Sequence, residues 1–252
     1  MNNIFSSLLI LFFFSSVHLS GQTSGQIEVD RPDQTECAST VPPHYFQMEN
    51  GISFERSDKS LKSFSLPSTL WKYGVNNDFE IRLITEYISV KDDQYTSSGL
   101  LPVTVGFKTM LSEEKGIFPT TAFLGHLTSN NLGSKDFKSN YIAPSFRFSM
   151  QHTLSPQISL GYNLGMEWDG NAPAPIYIYT LTSGISLAEK LGLYLEVYGF
   201  IPDNSHPDHR FDSGFTYLLS NDFIVDLSGG LGLSDVSPDY YVALGFSFRL
   251  KT

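Results

Sequence analysis

"ISLGYNLGMEW", residues 158–168, alternates without a break. Ile158, Leu160, Tyr162, Leu164, Met166 and Trp168 share one face of an extended chain, and Ser159, Gly161, Asn163, Gly165 and Glu167 share the other. Successive side chains of a strand point to opposite sides of a sheet, so a period of two predicts a strand with one apolar face. The pattern returns in "YIAPSFRFSM" (141–150), where Ile142, Pro144, Phe146, Phe148 and Met150 oppose Ala143, Ser145, Arg147 and Ser149. It returns again in "YVALGFSFRL" (241–250), with Val242, Leu244, Phe246, Phe248 and Leu250 against Ala243, Gly245, Ser247 and Arg249. No long stretch of helical period follows the apolar N-terminus.

Extending the search along the 252 residues gives about twelve such segments, near 45–55, 63–74, 79–89, 101–110, 118–127, 140–150, 157–168, 175–187, 191–201, 210–219, 222–233 and 240–250. Most span about ten residues, the length a tilted strand needs to cross a bilayer and more than the usual soluble strand. Connections alternate in length as well. "VNND" (75–78), "AEK" (188–190) and the junction at Ser220-Asn221 are tight, whereas "VKDDQYTSSG" (90–99), "TSNNLGSKDFKS" (128–139) and "PDNSHPDH" (202–209) are longer and polar. "LSEEKG" (111–116) and "QHTLSP" (151–156) blur the contrast without reversing it. Short turns at one end and long loops at the other, with an even strand count, are the pattern of a bacterial outer-membrane barrel.

The polar face separates this architecture from a soluble all-β domain. A solvated face is normally rich in Lys and Glu. Here it is mostly Gly, Ser, Thr, Asn and Ala, with isolated charges: Glu49, Glu80, Arg82, Lys108, Arg147, Glu167, Glu196, Asp226 and Arg249. Such a face suits the crowded inside of a barrel, leaving Phe and Leu to meet lipid. Trp71, Tyr73, Tyr87, Trp168, Tyr240 and Tyr241 fall near predicted strand ends, where aromatic girdles sit. The expected fold is therefore an all-β transmembrane antiparallel up-and-down β-barrel of about 12 strands, spanning residues 45–252.

The N-terminus carries an apolar run from Leu8 to Phe14 followed by small residues at Ser20 and Gly21. It is too short for a spanning helix and reads as a secretory signal peptide over 1–21, which sends the chain to the outer membrane. Cys37 is the single cysteine, so no internal disulfide forms, and a formal net charge of −10 argues against a nucleic-acid partner. Outer-membrane lipid and a small-molecule solute are the expected partners, with a monomer favoured and no cofactor.

Between leader and barrel lies a polar segment, 22–44, containing "DRPDQTE" (30–36). Together with "VPPHYFQMENG" (41–51), "LPSTLWKYGVNNDFEIR" (66–82) and "GLLPVTVGFK" (99–108), it resembles the outer-membrane family named for the MetA pathway of phenol degradation. Asp30, Arg31, Pro32 and Thr35 carry the resemblance, with Val41, Pro42, Gln47, Glu49 and Gly51. Leu66, Pro67, Leu70, Tyr73, Gly74, Phe79, Glu80, Arg82, Gly106 and Lys108 continue it. Cys37 and Lys72 depart from the pattern, where Ser and Arg would be usual. The resemblance implies a transporter-like barrel passing small aromatic or hydrophobic compounds.

Chemistry was sought along the same chain. His126 on a predicted inward face lacks a surrounding acyl-transfer motif and an orienting carboxylate, so no catalytic residue is assigned. Asp203, His206, Asp208 and His209 share one loop without a further ligand, and no metal site is assigned either. The functional candidates are the lumen charges Glu49, Glu80, Arg82, Lys108 and Arg147. They form either a polar constriction that filters solutes or a paired network that fills the barrel. Asp30, Arg31 and Asp33 are the latch candidates, expected to pair with charges such as Arg82, Lys108 or Glu80 if the segment tucks into the barrel mouth.

Overall fold

The computed structural model describes residues 25–57, 61–203 and 205–252, so the leader reading for 1–21 lies outside the described residues. The strands are β1 (Tyr45–Arg56), β2 (Lys62–Asn76), β3 (Phe79–Lys91), β4 (Thr96–Leu100), β5 (Thr104–Ser112), β6 (Thr120–Thr128) and β7 (Ala143–Ser155). They continue as β8 (Ile158–Glu167), β9 (Ile176–Ala188), β10 (Leu191–Pro202), β11 (Asp208–Ser220), β12 (Phe223–Gly232) and β13 (Tyr240–Lys251). All except β4 form the wall, each antiparallel to its neighbour in chain order. The ring closes where β1 pairs with β13, from Tyr45↔Lys251 to Arg56↔Tyr240. Closure leaves no open edge in the twelve-strand wall, which a bilayer requires because lipid offers no hydrogen bonds to an open backbone. The expected twelve-strand up-and-down barrel is borne out.

Two readings need correction. Residues 90–99, expected as loop, contain the end of β3 and most of β4, which pairs with β3 from Tyr87↔Leu100 to Lys91↔Thr96. Thr96, Ser97 and Ser98 offer no apolar face, so hydrophobic alternation could not reveal this strand. Residues 151–156, also expected as a connection, belong to β7 as far as Ser155, because the strand runs past the lipid belt into polar residues.

Strand parity sorts the side chains inside out. Lys108, Gln47, Glu49, Glu80, Glu196, Asn163 and Asp212 are among the fully buried side chains, whereas Ile81, Val105, Leu164, Leu195, Leu227, Leu244 and Phe246 are exposed. That arrangement would be costly in water and is the favourable one in hydrocarbon. A row of rings, Phe79, Phe107, Phe123 and Phe148, crosses β3, β5, β6 and β7 with centroids 5.2–6.0 Å apart on the outer face. Tyr241 does not join the girdle expected of it: it has the inward parity, and its hydroxyl donates to Asp212.

Tight turns at 77–78, 156–157, 189–190 and 221–222 lie at the end where β1 begins and β13 finishes. Apart from 113–119, which joins β5 to β6 at this same end, the longer connections lie at the other end. There β4 docks on the loop between β6 and β7: Ser97 Oγ (2.8 Å) and Tyr95 Oη (3.0 Å) both donate to Asp136. These two donors hold the Asp136 carboxyl below its ordinary range.

Candidate functional site

A closed ring of twelve strands encloses more space than small side chains fill, since eight strands already give an interior that side chains just occupy. Residues 25–44 occupy that space. At one limb Ile27 N donates to Asn221 O (2.7 Å), and Ile27 packs with Leu218 and Ile224 in a small apolar cluster. At the other limb Thr40 Oγ1 donates to Asn77 O (2.7 Å). Both contacts are at tight turns, so the segment enters and leaves through the same barrel end with residues 30–37 deepest. His44 makes the bend into β1 with a left-handed φ of 61° and donates its N–H to Gly74 O at 2.9 Å.

Asp30 is the hub. Its carboxylate accepts from Lys72 Nζ (2.9 Å) on β2, Arg82 Nη2 (3.1 Å) on β3 and Lys108 Nζ (2.7 Å) on β5. Cys37 closes the loop locally, its N and Sγ each 3.0 Å from Asp30 Oδ1. Glu36 takes both Arg82 terminal nitrogens at 2.9 Å. Glu49 lies 2.5 Å from Lys72 Nζ. Three buried cations thus face the acids Asp30, Glu36, Glu49 and Glu80, the pairing that desolvated charges require.

Wall side chains also satisfy the segment's backbone, which has no sheet partner of its own. Glu49 Oε2 accepts from Asp30 N (3.0 Å) and Arg31 N (3.1 Å), Glu80 Oε2 from Val41 N (2.7 Å), and Glu196 Oε2 from Gln34 N (2.7 Å). Arg147 Nη1 donates to Gln34 O (3.0 Å). Asn163 grips Glu36 at both ends of its backbone, Oδ1 accepting from N at 2.7 Å and Nδ2 donating to O at 3.1 Å. Arg31 reaches Asp226 Oδ1 at 3.0 Å. Its guanidinium lies across Gly51 and Gly245, a cross-strand pair, and a Cβ on either would overlap it. Only glycine leaves room there for the arginine.

Every wall candidate from the sequence, Glu49, Glu80, Arg82, Lys108 and Arg147, therefore touches the segment or its partners. Among the latch candidates Asp30 meets Arg82 and Lys108. Arg31 instead meets Asp226. Asp33 faces Thr182, Glu196 and Asp212, two of them acids. Sequence reasoning assigned no site role to Lys72, Glu36, Asn163, Asp212, Tyr194 or Tyr198. Tyr194 and Tyr198 share inward parity with Glu196 on β10, so parity alone could have found them. His126 lies over Gly106 with Nε2 lacking a hydrogen-bond partner, and among the described residues no cluster fits a metal ion.

A closed barrel with an apolar outer belt and a polar, internally filled lumen has the architecture of outer-membrane channel proteins. Solved structures of other barrels share the fold. The COG4313 outer membrane channel from Pseudomonas putida F1 superposes with a TM-score of 0.64 at 12% identity, covering 88% of this chain and all of that one. The NanC porin gives 0.55 at 10% identity, covering 81% and 100%, and the KdgM porin 0.53 at 9%, covering 81% and 98%. The chain belongs to the family described as "Putative MetA-pathway of phenol degradation", matched over residues 29–250. Comparison with curated proteins finds no match.

Proposed function

We propose that this protein is a passive outer-membrane channel for small molecules, aromatic ones included, with residues 25–44 as a lumen segment that narrows the passage. One observation carries the reading: a cavity lies on each side of the segment. The cavity toward the tight-turn end measures about 410 Å³ and is lined by Ile27, Tyr194, Leu218 and Ile224. The cavity toward the long loops measures about 220 Å³ and is lined by Ser53, Glu86, Tyr198 and Arg210. Arg31 and Pro32 line both. This part of the segment thus stands between two open spaces of the lumen, and selectivity follows from the width and charge left beside it. The solved structures named above are a channel and porins, and the family name concerns phenol degradation, both in keeping with this reading.

The density of pairing around Asp30 supports a second reading, a barrel held shut as a structural or surface protein. Liposome swelling separates the two. Vesicles containing the refolded barrel are expected to swell faster than lipid-only vesicles in isosmotic pentose. Swelling no faster than that of bare lipid would overturn the channel reading.

A further inference from the structure

Three basic side chains form a row on the outer face of the wall, at the end with most of the longer loops, which is the external end of such barrels. Arg56 closes β1, Lys62 opens β2 and Lys91 closes β3. Arg56 stands opposite Lys62 in register, and Lys62 opposite Lys91. Parity turns all three outward: Arg56 shares a face with Ile52, Lys62 with Phe64, and Lys91 with Tyr87, all of them exposed. Among the described residues no other strand of the wall puts a Lys or Arg outward at this end.

Like charges directly opposite one another destabilise a sheet, yet this row is barely compensated. Arg56 Nε lies 3.5 Å from Asp239 Oδ2 and has no hydrogen-bond partner. Lys62 and Lys91 are exposed, with no ion-pair partner among the described residues. In a chain of formal net charge −10, three clustered and underused cations call for an anion from outside the chain.

Immediately toward mid-membrane from the row, the same face carries an apolar groove of about 310 Å³. Ile52 and Phe54 of β1, Phe64 and Leu66 of β2, and Val242 and Leu244 of β13 line it. Phe54 pairs in register with both Phe64 and Val242, one outward position from the cations, a distance of about 7 Å along a strand. The Phe54 ring lies 4.8 Å from that of Phe64 and 6.0 Å from that of Tyr240, which stands level with Arg56. Leu66 and Pro67 together oppose Ile52 alone, so the pairing of β1 with β2 slips here, as a bulge.

We infer that this surface binds one phosphorylated, multiply acylated lipid of the outer leaflet, with its phosphate on the cation row and an acyl chain in the groove. Arginine offers phosphate a fork of N–H donors, and the two lysines add point charges. In hydrocarbon the chain gains packing contacts rather than release from water, so a groove holds it where a smooth wall would not. Row and groove are one outward step apart, which fits a headgroup and a tail of one molecule. The lipid would bridge β13, β1 and β2, where the ring closes and the bulge interrupts pairing.

Native mass spectrometry of the refolded full chain, released from nonionic detergent, tests this with three probes. They are bisphosphorylated hexa-acyl lipid A, the same lipid with both phosphates removed, and its de-acylated bisphosphorylated disaccharide. The first is expected to remain bound, with the other two at least about tenfold weaker. Lys62→Gln combined with Lys91→Gln should weaken the intact lipid at least about tenfold. Val242→Trp, which fills the groove and keeps the cations, should also weaken it. Lys115→Gln combined with Lys251→Gln removes the same charge from exposed residues at the opposite end and should bind as the parent does. Heat-modifiable migration verifies each fold. Equal retention of the dephosphorylated lipid would overturn the proposal, and so would a disaccharide held as tightly as the lipid, which makes a soluble phosphate the occupant. Equal losses in the two double variants would reduce the effect to overall charge and overturn it too, as would a Val242→Trp chain that binds like the parent. None of these readouts depends on conductance, so the lipid site and the channel stand or fall separately.

Discussion

Replacing Asp30 by Ala is expected to unseat the lumen segment. Among the described residues Asp30 is the one group that touches Lys72, Arg82 and Lys108 together, from three different strands. Breaking a buried ion pair from one side costs about 3–5 kcal/mol, because the remaining charge stays desolvated without its partner. Three cations lose a partner here, but Glu36, Glu49 and Glu80 remain among them and water can enter a lumen, which keeps the net cost near the single-pair figure. Its consequence is local. β1 pairs with β13 through backbone bonds that Asp30 does not touch, so the barrel stays closed while residues 30–37 lose their anchor. Protease cleavage within 26–40 should become much faster in Asp30→Ala than in the parent, and single-channel conductance should rise. Asp30→Asn, which keeps the shape without the charge, should fall between. Equal protection of the segment in all three proteins would show that the hub does not hold it.

The second large effect concerns the outer face. Leu244 stands at mid-height on β13, is half exposed, and pairs in register with Ile52 and Leu227, both also exposed. Leu244→Arg places a guanidinium in hydrocarbon at about the bilayer midplane and is expected to cost about 2–4 kcal/mol. Leu250→Arg lies on the same face one residue from the end of β13, where the cost falls to about 0–1 kcal/mol. Equilibrium urea unfolding from lipid vesicles measures both. The expected result is a clear loss for Leu244→Arg and a small one for Leu250→Arg. Equal costs at the two depths would contradict the placement of this face in lipid.

Legibility in the sequence followed the physics of each part. The wall was readable because lipid outside and crowding inside impose opposite chemistry on alternate residues. Ile158 to Glu167 shows that rule without interruption, and β8 has those bounds. β4 escaped because Thr96–Leu100 lies outside the bilayer, where neither face needs to be apolar. Inward charges such as Glu49, Glu80 and Lys108 followed from parity. Their partners did not, because the segment that pairs with them has no periodicity and its path depends on contacts as distant in sequence as Arg31 and Asp226. Lys72 was seen only as a departure from a family pattern, since both faces of β2 carry apolar residues and hide its inward direction. Asp33 shows the limit most clearly. Charge complementarity assigned it a cation, and the folded chain sets it against Glu196 and Asp212.

The central claim is that residues 25–44 stand in the lumen and limit what passes. It is tested most directly by single-channel conductance of the full chain against a chain lacking residues 26–40. That stretch carries Glu28, Asp30, Asp33 and Glu36 against Arg31 alone, so its loss also leaves Lys72, Arg82 and Lys108 facing water with fewer acids. The account predicts a several-fold rise in conductance and a shift of selectivity toward anions, with heat-modifiable migration intact. A barrel that remains folded and conducts as the full chain does would contradict it.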